Sequence, residues 1–153
     1  MKSILKKIAV LSILVLPISA NAEDEFSFGL GLGTSYSGLG ANLSLRSESD
    51  MKSFSAGCIS YSSVTGSTCG VGLSWIKTDL FGSSTNKHGL GGYIGVVGTE
   101  STLSGDKAAY GIGAGYYYFF NGIDRSGTNI GLSFVTDGGD VGSSVILQVG
   151  YQF

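Results

Sequence analysis

Beyond residue 22 the chain alternates apolar residues with Gly, Ser or Asn at a spacing of two, and no helical period appears. A spacing of two is that of β-strands, whose successive side chains point to opposite faces. Eight such runs are present, and they begin near residues 26, 39, 54, 69, 89, 110, 130 and 145. Turn sequences rich in Gly, Ser, Asn and Asp separate them. The pattern predicts an all-β fold of eight strands.

Charged residues are rare within these runs. In a soluble sandwich one face of each strand meets water and commonly carries charge. Here the pattern places only Arg46 within a strand, and the other charges fall in turns or at strand ends. Such apolar faces are typical of contact with lipid, where a charge near the midplane costs about 2–4 kcal/mol. Because an open sheet cannot span lipid with unpaired edges, we predict an eight-stranded antiparallel transmembrane β-barrel. Its strands would have about 10 residues each, its loops would be short, and both termini would be periplasmic.

Aromatic residues of the outward face fall near strand ends, where membrane barrels carry aromatic girdles. The periplasmic girdle is predicted to contain Phe26, Phe28, Phe54, Trp75, Tyr118, Phe120, Tyr151 and Phe153. The outer girdle is predicted to contain Tyr36, Tyr110 and Phe134. Tyr61 does not fit the alternation and is predicted to point inward.

The first 22 residues have the features of a signal peptide. Three lysines form a basic start, residues 8–18 are apolar, and Ala20 and Ala22 supply a small-x-small cleavage site. The apolar stretch is about half of the roughly 20 residues that a membrane-spanning helix needs, which leaves an uncleaved anchor as the alternative. We therefore predict a signal peptide over 1–22, export from the cytoplasm, and one barrel domain over 23–153.

Without the predicted signal peptide, the glycine content of the remaining chain is higher and its net charge is more negative. All 26 glycines fall in the remaining 131 residues, about 20%, against a usual share of about 7%. The only proline lies in the signal, so every strand residue keeps an N–H for the sheet. The remaining 6 basic and 11 acidic residues give a net charge of −5. Without a basic patch, nucleic-acid binding is excluded, because contacts to phosphate supply most of that affinity.

The last run alternates apolar residues up to a terminal phenylalanine, through Val145, Leu147, Val149, Tyr151 and Phe153. This run resembles the C-terminal signature of bacterial outer-membrane β-barrel proteins, in which a final aromatic residue is read by the barrel-assembly machinery. The segment 23–153 resembles small eight-stranded barrels of the OmpA and OmpX kind. Residues 28–61, with their Ser-Gly-Leu-Gly hairpin, are also similar to YfaZ-type proteins, although no residue roles carry over.

The resemblance implies a location in the outer membrane of a Gram-negative bacterium. It also implies the partners of such a protein: outer-membrane lipids and lipopolysaccharide, the barrel-assembly machinery and periplasmic chaperones. We expect a monomer. The fold does not specify an activity, because such barrels serve many functions.

Cys58 and Cys69 are the only cysteines. Folding their hairpin about its midpoint sets Cys58 opposite Cys69 and Ala56 opposite Val71. Opposed strand residues have Cβ atoms about 4.5–5.5 Å apart, wider than the roughly 3.5–4.5 Å of a disulfide, and strand twist can close that gap. We predict a cross-strand disulfide, with two reduced thiols as the alternative. No further ligand joins them to form a zinc site.

His88 is the only histidine, and a barrel hydrolase would need such a base beside a serine. The strand pattern places His88 at the periplasmic start of the fifth strand, whose own register the glycines leave undefined. Asp79 and Glu48 fall at the same end without the spacing of a triad. We interpret His88 as a polar interfacial residue and predict no catalytic site, cofactor or metal.

Many of the glycines fall on the inward face of the strands. These are Gly29, Gly31, Gly33, Gly40, Gly57, Gly70, Gly72, Gly111, Gly113, Gly115, Gly131 and Gly150. Eight-stranded barrels are just wide enough for side chains to fill the interior. We predict that large residues pack opposite these small ones, with Tyr93, Tyr117, Ile146 and Gln148 among the filling side chains. The alternative is a narrow, uncharged, water-lined pore.

Taken together, the sequence predicts a small, glycine-rich, non-enzymatic outer-membrane β-barrel with a structural or cell-surface role. A porin-like narrow channel for small uncharged solutes is the first alternative. A lipid-modifying enzyme is the second. The third is a soluble secreted β-domain or a glycine-rich fibre subunit.

Overall fold

The computed structural model describes residues 24–62, 66–82, 85–102, 105–137, 139 and 142–153. The predicted signal peptide, with Ala20 and Ala22, lies outside these residues. In the part of the chain so described, no helix is long and apolar enough to cross a membrane.

Eight strands form the fold of the described residues. They are β1 (Glu25–Gly33), β2 (Gly38–Arg46), β3 (Asp50–Ser62), β4 (Gly66–Lys77), β5 (His88–Thr102), β6 (Gly105–Phe119), β7 (Gly127–Thr136) and β8 (Ser143–Gln152). Each strand pairs antiparallel with the next, and β1 pairs with β8 to close the sheet. Two short 3₁₀ turns, Thr34–Tyr36 and Asp79–Phe81, lie in the connections. The prediction of an eight-stranded antiparallel barrel is confirmed.

The strands differ in length more than the expected value of about ten residues each suggests. β1 and β2 have 9 residues each, whereas β5 and β6 have 15 each. We call the end of the barrel that holds Glu25 and Phe153 the base, and the opposite end the tip. The longer strands extend through polar residues, and the strand ends therefore contain Asp50, Lys52, Lys77, Glu100, Asp106 and Lys107. The sequence pattern places these charges in turns or at strand ends, and the strands include them because hydrogen bonding continues beyond the apolar alternation; Arg46, expected inside a strand, is the last residue of β2.

The predicted register of the β3–β4 hairpin is confirmed. Cys58 pairs with Cys69 and Ala56 pairs with Val71. Directly above this pair, a bulge in β3 lets Ser60 pair with Thr68. The register of β5, which the sequence left open, is set by pairs such as Gly72–Gly95 with β4.

The two faces of the barrel wall differ sharply in polarity. Aliphatic side chains are exposed on the outer face: Leu30, Leu32, Leu39, Leu43, Val71, Leu73, Leu90, Ile94, Ile112, Ile130, Leu132, Val145, Leu147 and Val149. Polar side chains are buried on the inner face: Ser27, Asn42, Ser44, Ser53, Ser55, Ser74, Asn129, Ser133, Gln148 and Gln152. In water-soluble proteins the large apolar residues are the most often buried, so this barrel has the inverse arrangement.

Most of the predicted outward aromatic residues do face outward. Those exposed on the outer face are Phe26, Phe28, Phe54, Trp75, Tyr110, Phe120, Phe134, Tyr151 and Phe153. Tyr118, which is partly buried, packs against Phe120 with 5.1 Å between ring centroids. Two predictions are wrong. Tyr61 is 60% exposed because the bulge after Cys58 shifts the alternation, and Tyr36 is buried inside the barrel because the connection that contains it folds inward.

Candidate functional site

The connection between β1 and β2 folds inward and occupies the lumen. Its four residues, Thr34 to Ser37, are all buried, and Tyr36 is only 1% exposed. The backbone conformation directs this connection into the lumen: Gly33 and Gly38 have φ of 118° and 96°, and Ser37 has φ of 55°. Positive φ is readily adopted by glycine and rarely by other residues. Because these positions turn the chain into the barrel, we call residues 34–37 the inner plug.

The first half of the inner plug bonds to β6, β7 and β8. The Thr34 hydroxyl lies 3.0 Å from the Ser133 hydroxyl and 3.3 Å from that of Tyr117. The Ser35 backbone N–H donates to Gln148 Oε1 at 3.0 Å, while Asn42 Nδ2 donates to the Ser35 carbonyl, also at 3.0 Å. The Thr34 hydroxyl and the Ser35 backbone therefore find partners on several walls of the lumen, as most buried polar groups do, whereas the Ser35 hydroxyl has no hydrogen-bond partner among the described residues.

The second half of the inner plug reaches both sides of the lumen. Asn129 Nδ2 donates to the Tyr36 hydroxyl at 2.8 Å. On the other side, the Ser37 hydroxyl lies 2.7 Å from that of Ser55 and 3.3 Å from that of Tyr93. The plug is thus tied to opposite parts of the wall, which holds it within the lumen.

Glycines make the space that the large inward side chains fill. A side chain at Gly31 or Gly150 would overlap Tyr36, and one at Gly72 or Gly95 would overlap Tyr93. The same holds for Gly131 against Tyr117. Large residues therefore pack opposite small ones, as the sequence predicted. Tyr93, Tyr117 and Gln148 are buried and Ile146 is partly buried, whereas the contribution of Tyr36 was missed.

The base of the lumen holds a second polar network. Gln152 Nε2 donates to the hydroxyls of Ser27 and Ser44, at 2.8 and 2.6 Å, and to Asn42 Oδ1 at 3.2 Å. Nearby, Arg46 is 4% exposed and pairs through Nη2 with Glu25 at 3.6 Å. Its Nε and Nη1 atoms have no hydrogen-bond partner among the described residues.

The other side of the lumen is apolar. Five buried side chains form one cluster there: Met51, Ile76, Tyr117, Phe119 and Ile123. A smaller cluster joins Tyr93, Val97 and Val135, with Ile146 packed against it. Together with the inner plug, these clusters occupy much of the interior among the described residues.

The cysteine pair lies on the outer face. Cys58 and Cys69 are directly opposed, and their sulfur atoms are at disulfide distance. The residues that precede and follow them on the same face, Ala56 and Val71, are exposed. The bond therefore braces the hairpin from outside the lumen.

His88 lies at the start of β5, as predicted, and faces outward. Its Nδ1 hydrogen-bonds to the Tyr116 hydroxyl, and its ring packs edge-on against Tyr118 at 5.0 Å. Both partners are tyrosines of β6, which fits an interfacial role. Within the described part of the chain, the hydrogen-bond and ring partners of the imidazole are tyrosines and not a serine.

Glu48 and Asp79 come together at the base, in a cleft of about 340 Å³ that does not include His88. Its lining consists of Glu48, Ser49, Thr78, Asp79, Thr85, Asn86 and Asp124. Asn86 crosses the cleft, since its Nδ2 donates to Asp124 and to the Glu48 carbonyl. Among the residues with described positions, no group of three His, Cys, Asp or Glu side chains is arranged to hold a metal ion.

The C-terminal residues singled out in the sequence form the outward face of β8, with Phe153 directly after its last residue. All five are exposed: Val145, Leu147, Val149, Tyr151 and Phe153. The Phe153 ring stacks on Phe28 at 5.7 Å, and its backbone N–H donates to the Phe28 carbonyl at 2.8 Å. The terminal residue thus extends the closure between β8 and β1, while its reading by an assembly machinery stays a prediction.

Comparison of the chain with protein-family models, with curated proteins and with solved structures finds no match. The class of protein is therefore defined by the geometry alone. It is a closed eight-stranded antiparallel barrel with an apolar outer face and a lumen occupied by hydrogen-bonded polar side chains and two apolar clusters.

Proposed function

We propose that this chain is a small, non-enzymatic outer-membrane β-barrel protein with a structural or cell-surface role. The observation that carries the proposal is the inverted polarity of the wall, with aliphatic residues exposed outside and hydrogen-bonded polar residues inside. In lipid such an exterior is favourable, and a closed barrel leaves no strand edge unpaired. In water the same exterior would be a large apolar patch, which soluble monomers avoid.

The proposal includes the orientation of the barrel in the membrane and the export of the chain to the periplasm. The two ends of the described chain lie at the base, and a signal peptide over 1–22 would deliver the chain to the periplasm. We place the base at the periplasmic surface, where the barrel-assembly machinery and chaperones would act on the chain. The resemblance to small outer-membrane barrels assigns recognition by the assembly machinery to the terminal Phe153. Before β8 pairs with β1, this residue would be exposed at the edge of the sheet.

The filled lumen argues against the channel alternative. A polar interior would favour conduction, but the inner plug is held by Asn129, Ser55 and Gln148 across the space that solute would need. Planar-bilayer recordings are therefore expected to give no conductance above that of the protein-free membrane. Discrete openings would favour the channel.

The surroundings of His88 favour an interfacial residue over a catalytic base. Its hydrogen-bond and ring partners among the described residues are Tyr116 and Tyr118, on the outer face. A serine nucleophile would instead need the imidazole as an adjacent base. The His88→Ala variant is expected to leave the lipid composition of the host membrane unchanged, as measured by mass spectrometry of extracted lipids.

Cell fractionation with a heat-modifiable gel shift tests the proposal. Closed barrels resist unfolding in cold dodecyl sulfate and migrate differently from boiled samples. We expect the protein in the outer-membrane fraction, with a mobility shift on boiling. A soluble periplasmic protein whose mobility does not change would contradict the proposal.

A further inference from the structure

The Cys58–Cys69 pair lies where an inserted barrel would meet lipid. Cys58 pairs on its other side with Leu39, and the next outward residue of β4 is Val71; both are exposed and apolar. Further towards the tip, Tyr61 is exposed on the same hairpin, in keeping with a tyrosine at a membrane interface. The sulfur atoms therefore lie further from the tip than Tyr61, on the part of the hairpin where the proposed hydrocarbon core would be. If the proposed membrane location holds, acyl chains cover them after insertion.

Acyl chains are a poor medium for forming this bond. The reactive form of cysteine is the thiolate, which an apolar environment disfavours. Exchange also requires a thiolate to reach the sulfur of an oxidant, and a water-soluble oxidant does not enter the hydrocarbon. The bond is therefore readily formed only while the hairpin is in water.

A disulfide formed early would fix the register of the β3–β4 hairpin, which its own side chains specify weakly. Near its tip the pairs are small and polar: Gly57 with Gly70, Ser60 with Thr68, and Ser62 with Gly66. Glycine-rich strands specify their register weakly, and a slip by one residue moves every side chain to the other face. Such a slip would turn Phe54 towards the lumen. A covalent link at Cys58–Cys69, immediately below the bulge, excludes it.

The link can form without the rest of the barrel. The two cysteines are 11 residues apart, and closing a short loop is entropically cheap. Isolated hairpins form within about 1–10 μs, faster than any plausible encounter with a protein oxidant. The β3–β4 hairpin alone can thus bring the two thiols together.

We propose that Cys58 and Cys69 are oxidised in the periplasm, by exchange with a disulfide of a thiol oxidase, before the barrel is inserted. One thiolate attacks the oxidant disulfide, which forms a mixed disulfide and releases one oxidant thiolate. The second thiolate attacks the mixed disulfide at the hairpin sulfur and releases the other oxidant thiolate. The hairpin loses two protons and two electrons, and the oxidant disulfide becomes a dithiol. This inference rests on the proposed outer-membrane location.

A pulse-chase experiment in cells tests the order of events. Newly made chains are labelled, free thiols are trapped with a maleimide-polyethylene glycol, and assembled chains are recognised by their heat-modifiable mobility. We expect the disulfide already in chains that are not yet assembled. Assembled chains whose thiols are still free would overturn the order. A chain that never becomes membrane-bound and heat-modifiable would instead overturn the proposed function.

A second experiment measures access to the site directly. The reduced chain is folded into dilauroylphosphatidylcholine vesicles and exposed to maleimide-polyethylene glycol. The control is Ser101→Cys in a Cys58→Ala, Cys69→Ala background, since Ser101 is exposed near the tip of β5. We expect Cys58 and Cys69 to react at least about tenfold more slowly than the control, because apolar surroundings suppress the thiolate. Failure of the reduced chain to fold, while the oxidised chain folds, would also support early oxidation. Equal labelling rates in a folded reduced barrel would overturn it.

Discussion

The ring of Tyr36 lies directly against the backbone of Gly150 in the lumen. A Cβ atom at Gly150 would overlap two ring carbons and the hydroxyl oxygen of Tyr36. The same hydroxyl accepts a hydrogen bond from Asn129 at 2.8 Å, which fixes the ring in place. The inner plug therefore depends on a glycine in β8, more than a hundred residues away along the chain, because any larger residue there would occupy the space of the Tyr36 ring.

Replacing Gly150 by valine is expected to destabilise the barrel by about 1–3 kcal/mol, the usual cost of overpacking. The measurement is urea unfolding in vesicles, followed by the fluorescence of Trp75. The matched control is Gly92→Val, because Gly92 is exposed on the outer face and a Cβ there would meet only the Gly113 carbonyl, at 3.9 Å. Adding Tyr36→Ala to Gly150→Val should recover part of the loss. Equal destabilisation by both valines would mean that Tyr36 does not occupy this position.

Replacing Gln152 by leucine is expected to cost about 1–3 kcal/mol, because its three buried acceptors would lose their donor. These acceptors are Ser27, Ser44 and Asn42. The same unfolding assay measures the effect, and Val149→Leu, on the outer face of the same strand, serves as a control with little change. If Gln152→Leu unfolds at the same urea concentration as the parent, the network does not contribute to stability.

A lysine at Leu147 tests the environment of the outer face. Leu147 is 73% exposed, so in water the change would be nearly neutral. In lipid it should cost up to about 2–4 kcal/mol, depending on depth. Ser101→Lys, nearer the tip, is the control. Equal losses of unfolding free energy for Leu147→Lys and Ser101→Lys in vesicles would argue that Leu147 does not contact lipid.

Arg46 offers a test of the buried cation at the base. Its partner Glu25 is largely exposed, and the pair is separated by 3.6 Å, so the ion pair compensates little of the desolvation of the guanidinium. Arg46→Met, which keeps much of the length, is expected to be neutral or stabilising in urea unfolding. Arg46→Ala should be less stable than Arg46→Met, since it also removes packing. A large loss for Arg46→Met would show that the charge itself is needed.

The sequence was most informative where strand pairing follows from alternation alone. The opposition of Cys58 and Cys69 could be predicted because folding the hairpin about its midpoint sets them opposite each other, and the inward glycines follow from parity. Parity fails after a bulge, which is why Tyr61 was assigned to the wrong face. Nothing in the alternation signals a bulge, since the extra residue is recognisable only from the pairing.

Tyr36 illustrates a different limit. Its place at the outer end of the first run, among the outward-facing aromatic residues, predicts a residue of the outer girdle. The turn folds inward because Gly33, Ser37 and Gly38 adopt positive φ and because partners such as Asn129 and Gln148 are available inside. Those partners come from β7 and β8, so the inner plug is a tertiary feature that no local pattern contains.

Trp75 provides the most direct test of the inverted barrel. It is the only tryptophan, and it lies on the outer face with 54% of its surface exposed. The protein is folded into vesicles made either of ordinary or of chain-brominated phosphatidylcholine, and the emission of Trp75 is compared. If the outer face contacts lipid, bromine on the acyl chains should quench most of the emission. Equal emission in the two kinds of vesicle, from protein with a heat-modifiable mobility, would contradict a lipid-facing exterior.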